Sequence, residues 1–482
     1  MSQQAVAQPK SVLRGHRTQI HATTFIRQNQ RLASGDADGF VVLWDLTIMR
    51  PRAVWRAHTG AILGISGWGD DKLITIEKKL ILIHLFGTSR EGRDNRLIVW
   101  RITPADEDEL STDPPLDESA PERPQPWILY ILEINTMNFC SFAQCSPQPD
   151  TNPLICDELL ISVPNTLITE AVDIFHLPSQ NRLSTVHLGS KTEKKGMVMA
   201  LSLFWRNESL FLLAGYENGL AVAARRRHSG AWDILYKYQA HSQPILSLDS
   251  GPNKDYFLTS GADAIIAKHP IPHANSTTSR VPKTTEIPEM ERNNKGSEGL
   301  RQQQNNASVS LLSASLTTTP IPNTETPSRG LPKVTVVETL PFKIIDTKHS
   351  GQQGLHIRSD GRIFATAGWD SKLRVYSAKT MTELAVLKWH DVGCYTAAFA
   401  VLGTGQKDAS NDSRDSSQKS AIQGSIEPLD GPNTTIRDEM TMTTMTRPGE
   451  ASVKERRIKM AQKAHWLAAG SKDGKISLWD IY

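Results

Sequence analysis

The feature that most constrains this chain is a pattern that returns along it. Early on stands LRGHRTQIHATTFIRQNQRLASGDADGFVVLWDL, where Gly15-His16 is followed by an alternating stretch, Ser34-Gly35, a turn at Asp38-Gly39 and Trp44-Asp45. The same order recurs as RAHTGAILGISGWGDDKLIT with GRDNRLIVWRI, as YQAHSQPILSLDSGPNKDYFLTSGADAIIAKHPI, and as TKHSGQQGLHIRSDGRIFATAGWDSKLRVYS. A last copy is split between LKWHDVGCYTAAFAVLG and AHWLAAGSKDGKISLWDIY. His16 and His58 stand about 42 residues apart, the period of a four-stranded blade. A lone Trp-Asp pair carries little weight. Gly-His, a hydroxyl, a turn aspartate and Trp-Asp recurring in one order at one period carry a great deal.

The spacing also carries chemistry. In the first copy His16, Ser34, Asp38 and Trp44 are expected to form a buried hydrogen-bonded tetrad. The turn aspartate accepts from the histidine, whose other nitrogen meets the hydroxyl, which in turn meets the indole N–H. Each polar group then escapes the cost of about 1–3 kcal/mol that an unpaired buried group carries. The same roles fall to His58, Thr75, Asp94 and Trp100 in the second copy, and to His390, Asp473 and Trp479 in the last. Asp370 and Tyr376 keep the aspartate-to-aromatic spacing with tyrosine in place of tryptophan. These histidines are expected to hold blades together and to do no catalysis. Two further copies are degenerate, one from about Trp127 to Leu177 and one in MVMALSLFWRNESLFLLAGYENGLAVAARR, where Asn218 stands for the turn aspartate.

The pattern resembles a WD-repeat β-propeller, all-β, with seven blades of antiparallel strands around a channel. Each repeat supplies strands a, b and c, and the outer strand d follows the Trp-Asp pair. The last copy runs only two residues past Asp480, so its blade lacks strand d, while KSVLRGH before the first repeat has no blade. Pairing Ser11–Arg14 with the strand ending in Trp479 would close the ring, making one domain over 11–482.

Several segments interrupt the repeats. Residues 104–126 are acidic and proline-rich, and 273–332 and 403–447 are polar tracts; all three are expected to be disordered because they lack apolar residues to bury. The first is expected between the second and third blades, the next between the fifth and sixth, and the last between the first two strands of the seventh repeat. Residues 76–91, IEKKLILIHLFGTSRE, sit atypically between strands b and c of the second repeat, as a real insertion or a misread exon boundary. VKERRIKMAQKAHW is a basic stretch at helical spacing, fit for a nuclear localisation signal, a contact for an acidic partner, or a solvated helix.

With 54 basic and 51 acidic residues, no electrostatic case exists for direct nucleic-acid binding by the whole chain. Cys140, Cys145, Cys156 and Cys394 form neither a disulfide framework nor a zinc pattern, so free thiols are expected. MSQQAVAQPK has no apolar core of a signal peptide, and the longest apolar run, LILIHLF, is too short to cross a bilayer, so no membrane association is expected. Motifs for serine hydrolases, zincins, P-loops and dinucleotide binding are absent from the sequence. KWHDVGC brings Trp, His, Asp and Cys together, but His390 and Asp391 already fit the start of a repeat. No catalytic, metal or cofactor residues are expected.

The first repeat, the RAHTGAILGISGWGDDKLIT and GRDNRLIVWRI pair, LHIRSDGRIFATAGWDSKLRVYSAKTMTELAVLKWH and the terminal AHWLAAGSKDGKISLWDIY together resemble the fungal ASTRA-associated protein 1 family. The resemblance implies a nuclear scaffold subunit of the ASTRA complex. It further implies partners among that complex's subunits and kinase-maturation cochaperones, and links to chromatin remodelling and to maturation of phosphatidylinositol-3-kinase-related kinases. The alternative is a propeller that reads histone or phosphorylated peptides, for which the run Arg225-Arg226-Arg227 is a candidate contact.

Overall fold

The computed structural model describes residues 7–78, 95–115, 122–134, 139–149, 151, 156–189, 193–272, 337, 340–402 and 452–481. Among them, seven four-stranded antiparallel sheets form the blades of a β-propeller. Blade 1 runs outward from strand a, Ile20–Ile26, through b, Arg31–Asp36, and c, Phe40–Asp45, to d, Arg50–Arg56. The middle strands are near-continuous apolar runs because both of their faces are covered by neighbouring blades. Strand b of blade 6, Ile363–Gly368, is buried at every position. The outer strands need cover only one face; in Trp127–Glu133 of blade 2 a single residue is buried.

The core lies between blades rather than at one centre. Ala33, Val41, Leu43 and Trp55 of blade 1 interlock with Ile62, Leu73, Ile98 and Trp100 of blade 2. Fully burying each large side chain contributes about 1.5–3 kcal/mol. In six blades strand a slips register by one residue near its start, as between Ile20 and Ala22 or Cys394 and Thr396. Such a bulge bends a strand and raises its twist.

Closure follows the expected pairing. Ser11–Arg14 lies antiparallel on strand c of blade 7, Lys475–Asp480, with Ser11 opposite Leu478 and Arg14 opposite Lys475. Lys10 extends the ladder, its N–H donating to the Leu478 carbonyl at 2.8 Å. Leu13 is fully buried and joins one cluster with Trp44 of blade 1 and Ile476 of blade 7. One short strand therefore ties the two ends of the chain into the same blade.

The acidic segment at 104–126 departs from the expectation of disorder over the residues described. Asp106–Glu109 forms a single helical turn, α1, and Glu107 is buried against Arg27, Arg31 and Arg52 of blade 1. Leu110 packs into the core beside Ile102. The Ser111 carbonyl accepts from the Val54 N–H at 2.7 Å, covering part of the outer edge of blade 1. Composition counts the acidic charges but not the three guanidiniums that face them. The segment joins strand c of blade 2, Arg96–Arg101, to its own strand d, so it lies within a blade and not between two.

The same holds for the second segment. Strand c of blade 5, Ile265–Pro270, pairs with strand d, Lys343–Asp346, so residues 273–332 connect strands of one blade. That segment and 403–447 lie outside the described residues. The latter falls between strands a and b of blade 7, Cys394–Phe399 and Trp466–Ser471. Before strand b comes helix α2, Val453–Lys463, opened by a capping box of Ser452 and Glu455. Of the atypical stretch 76–91, Ile76–Lys78 continue strand b of blade 2, with Ile76 buried opposite Leu97; residues 79–91 lie outside the described residues.

Arg27, Gln28 and Asn29, between strands a and b of blade 1, all have left-handed backbone (φ 50°, 50° and 64°). That costs roughly 1–2 kcal/mol per residue. Contacts hold the turn: Arg27 donates to the Asp70 carbonyl and reaches Glu107, while Asn29 exchanges bonds with the Val401 backbone.

Deleting residues 1–14 removes the closing strand and leaves strand c of blade 7 as a bare edge. Thermal unfolding followed by circular dichroism should show a transition lowered by on the order of 10 °C or more. A Leu13→Ala substitution should cost about 2–4 kcal/mol. A truncated chain that melts like the full one would exclude closure by this strand.

Candidate functional site

The polar groups singled out by the repeat are brought together in blades 1, 2, 5 and 7, each time in a different way. In blade 1, Trp44 Nε1–H donates to Ser34 Oγ at 2.8 Å, and Ser34 Oγ lies 2.7 Å from His16 Nε2. His16 Nδ1 then lies 2.7 Å from Asp36 Oδ2. Asp36, not Asp38, is the acceptor. It closes strand b, and its Oδ1 takes the backbone N–H groups of Asp38 and Phe40, so one carboxylate orients the ring and caps the turn. Asp38 points to the surface and pairs with Arg17 at 3.0 Å.

Blade 2 repeats this arrangement with a longer acid. Trp100 Nε1–H donates to Thr75 Oγ1 at 2.9 Å, and Thr75 lies 2.7 Å from His58 Nε2. Glu77, two residues past Thr75 as Asp36 is past Ser34, stands 3.7 Å from His58 Nδ1 and accepts the Gly60 N–H. Asp94, expected in that role, lies outside the described residues. Burial pushes the His58 ring down to about 3, so it is neutral at ordinary pH.

Blade 7 takes its hydroxyl from the opposite strand. Ala469 occupies the place of Ser34, and the residue across from it, Ser477 on strand c, supplies the oxygen instead. Trp479 Nε1–H donates to Ser477 Oγ at 2.9 Å, and His390 Nε2 lies 2.8 Å away. Asp473 stands 4.0 Å from His390 Nδ1 and is held by Lys475 at 2.6 Å. Burial holds His390 near 4.

Blade 5 builds a longer chain with no tryptophan. His241 Nδ1 meets Asp263 at 2.9 Å and its Nε2 meets Thr259 at 2.8 Å. Thr259 meets His269 Nε2 at 2.8 Å, and His269 Nδ1 meets the Tyr236 hydroxyl of blade 4 at 2.7 Å. An imidazole Nε2–H donates as an indole N–H does, so His269 takes the place of tryptophan. Its ring is wholly buried and held well below its ordinary value by burial, then by His241.

Blade 6 lacks a tetrad. Thr366 donates to the buried Gln352 at 2.6 Å, Asp370 is gripped by Arg374, and Tyr376 stacks on Phe364. The signal for the missed partners was present but ambiguous. Acids stand two residues past the hydroxyl in blades 1 and 2, but four past it in blade 5.

The imidazoles and hydroxyls of these chains are buried. Cys394, beside His390 in KWHDVGC, is buried and its thiol is pushed up to about 12, so it is no thiolate nucleophile. Cys140 is likewise buried and raised, and none of the four cysteines is in a disulfide. Arg225 and Arg227 share Asp233 across strands c and d of blade 4, so one carboxylate offsets one of the run's three charges. What blades present outward are turn residues such as Trp369, about half exposed, and the exposed side of α2.

A family model described as ASTRA-associated protein 1 matches residues 9–479. The chain belongs to the ASTRA-associated protein 1 family. The relative of that name from Pyricularia oryzae is 47% identical, covering 99% of this chain and 97% of its own length. That from Verticillium alfalfae is 45% identical over 98% and 93%, and that from Schizosaccharomyces pombe 30% identical over 82% and 94%. Membership therefore extends across the blades described here, the degenerate third and fourth included.

Asp36→Ala should lower stability by roughly 2–4 kcal/mol, since it orphans a buried imidazole and two turn amides. Asp38→Ala should stay within about 1 kcal/mol, as an exposed pair does. Chemical denaturation of both variants checks the assignment; equal losses would contradict it.

Proposed function

We propose that this chain is a non-enzymatic scaffold subunit of an ASTRA assembly, acting in the nucleus in chromatin remodelling and in maturation of phosphatidylinositol-3-kinase-related kinases. The observation that carries this is the use of the histidines and hydroxyls. Where they meet, they are consumed in buried chains that lock blades, which leaves a rigid disc whose loops are free to contact partners. The family membership adds a name that, in the relatives, records association with ASTRA.

The test is affinity purification of the tagged, full-length chain from nuclear extract of its own cells, with mass spectrometry of what co-elutes. The expected result is near-stoichiometric recovery of ASTRA subunits together with kinase-maturation cochaperones. A preparation free of both would overturn the proposal while leaving the propeller intact.

A further inference from the structure

Helix α2, the start of the closing strand and the turn between strands c and d of blade 1 enclose a groove of about 640 Å3. Leu46, Met49, Met460, Ala461, Ala464 and Trp466 supply its apolar walls. Trp466 is buried, and its indole N–H has no acceptor among the described residues. Such a donor is costly to leave unpaired. Met460 is 71% exposed, a large apolar side chain left at the groove's edge.

The rim is predominantly basic, four cations against the single carboxylate of Asp480. Lys10, Arg457, Lys459 and Lys463 line the groove, and none of the four pairs with a carboxylate among the described residues. Asp480, also on the lining, is engaged by the His465 N–H at 3.2 Å, and Glu455 is used in the capping box. The helix is seated on blade 1 by Ala461, buried in one cluster with Leu46 and Trp466, and by Gln462 contacts to Gln28 and Asn29. Its cations are therefore presented on a positioned element.

We propose that this groove docks an acidic segment of a partner protein, which inserts an apolar side chain between α2 and blade 1. The apolar walls gain by burial and the four cations meet the flanking carboxylates. A nucleic-acid backbone would match the charge but has nothing to place against Leu46, Met49 and Trp466. The inference needs only that the chain binds protein. Its test uses no member of any complex, so its failure would leave the scaffold proposal untouched.

A library of ten-residue peptides displayed on phage is selected on the immobilised full-length chain. The enriched peptide, fluorescein-labelled, is then titrated by anisotropy. The expected enrichment is of Asp and Glu flanking Leu, Phe or Trp. Binding should weaken at least about tenfold in R457E/K459E/K463E, and about tenfold between 0.1 and 0.5 M NaCl. M460W, which fills the groove and keeps every charge, should weaken it comparably, and it decides the matter if the triple variant fails to fold by circular dichroism. No enrichment, or binding unchanged in both variants, would overturn the proposal. So would a DNA duplex that displaces the peptide and binds M460W as well as the unaltered chain.

Discussion

Blades 1, 2, 5 and 7 of this propeller depend on an N–H donating to a hydroxyl oxygen that in turn donates to an imidazole. The indole N–H can only donate, so the hydroxyl must accept from it and donate onward. A ring that accepts at Nε2 presents Nδ1–H to the carboxylate. Blade 5 runs the same way, from the Tyr236 hydroxyl through His269, Thr259 and His241 to Asp263. These chains tie the loop entering a blade to its two middle strands. Neighbouring blades are then tied by backbone. Gly39 at the turn of blade 1 (φ +83°) packs so closely on the His58 carbonyl of blade 2 that a Cβ would come within 2.0 Å of it. The Asp-Gly of the repeat is thus a docking point between blades as well as a turn.

Much of this was legible in the sequence because the repeat is periodic. His16, Ser34 and Trp44 stand where spacing puts them, and the pairing of Ser11–Arg14 followed from counting strands. What was not legible depends on three-dimensional choices the spacing leaves open. Asp36 and Asp38 are both acidic and both near the turn; only the carboxylate that can also cap the turn amides is drawn inward. Ser477 could be found only from strand register, because it faces Ala469 across a ladder. Glu107 reads as one more charge in an acidic tract until Arg27, Arg31 and Arg52, more than fifty residues away, are placed around it.

The distribution of connections gives the molecule two unlike ends. In an antiparallel blade, connections from a to b and from c to d leave at the same end. The turn Arg27–Gln30, the α1 segment and helix α2 all belong to it. Blade 1 is the hub there: Arg27 reaches Glu107, Asn29 reaches Val401, and Leu46 packs near Ala461. The strained left-handed turn of residues 27–29 sits between both attachments, fixed by the groups it binds. The end carrying the Gly-His loops is instead occupied by the buried chains.

The measurement that tests this account most directly is nitrogen-15 NMR of histidine-labelled protein, with His58, His269 and His390 assigned by substitution. The account predicts Nδ1–H tautomers for His58 and His390 and an Nε2–H tautomer for His269, all three remaining neutral as the pH falls from 7 to about 5. Rings that titrate near 6.5 or exchange between tautomers would contradict it. They would be open to solvent and free for chemistry, and the blades would have to be held by something else.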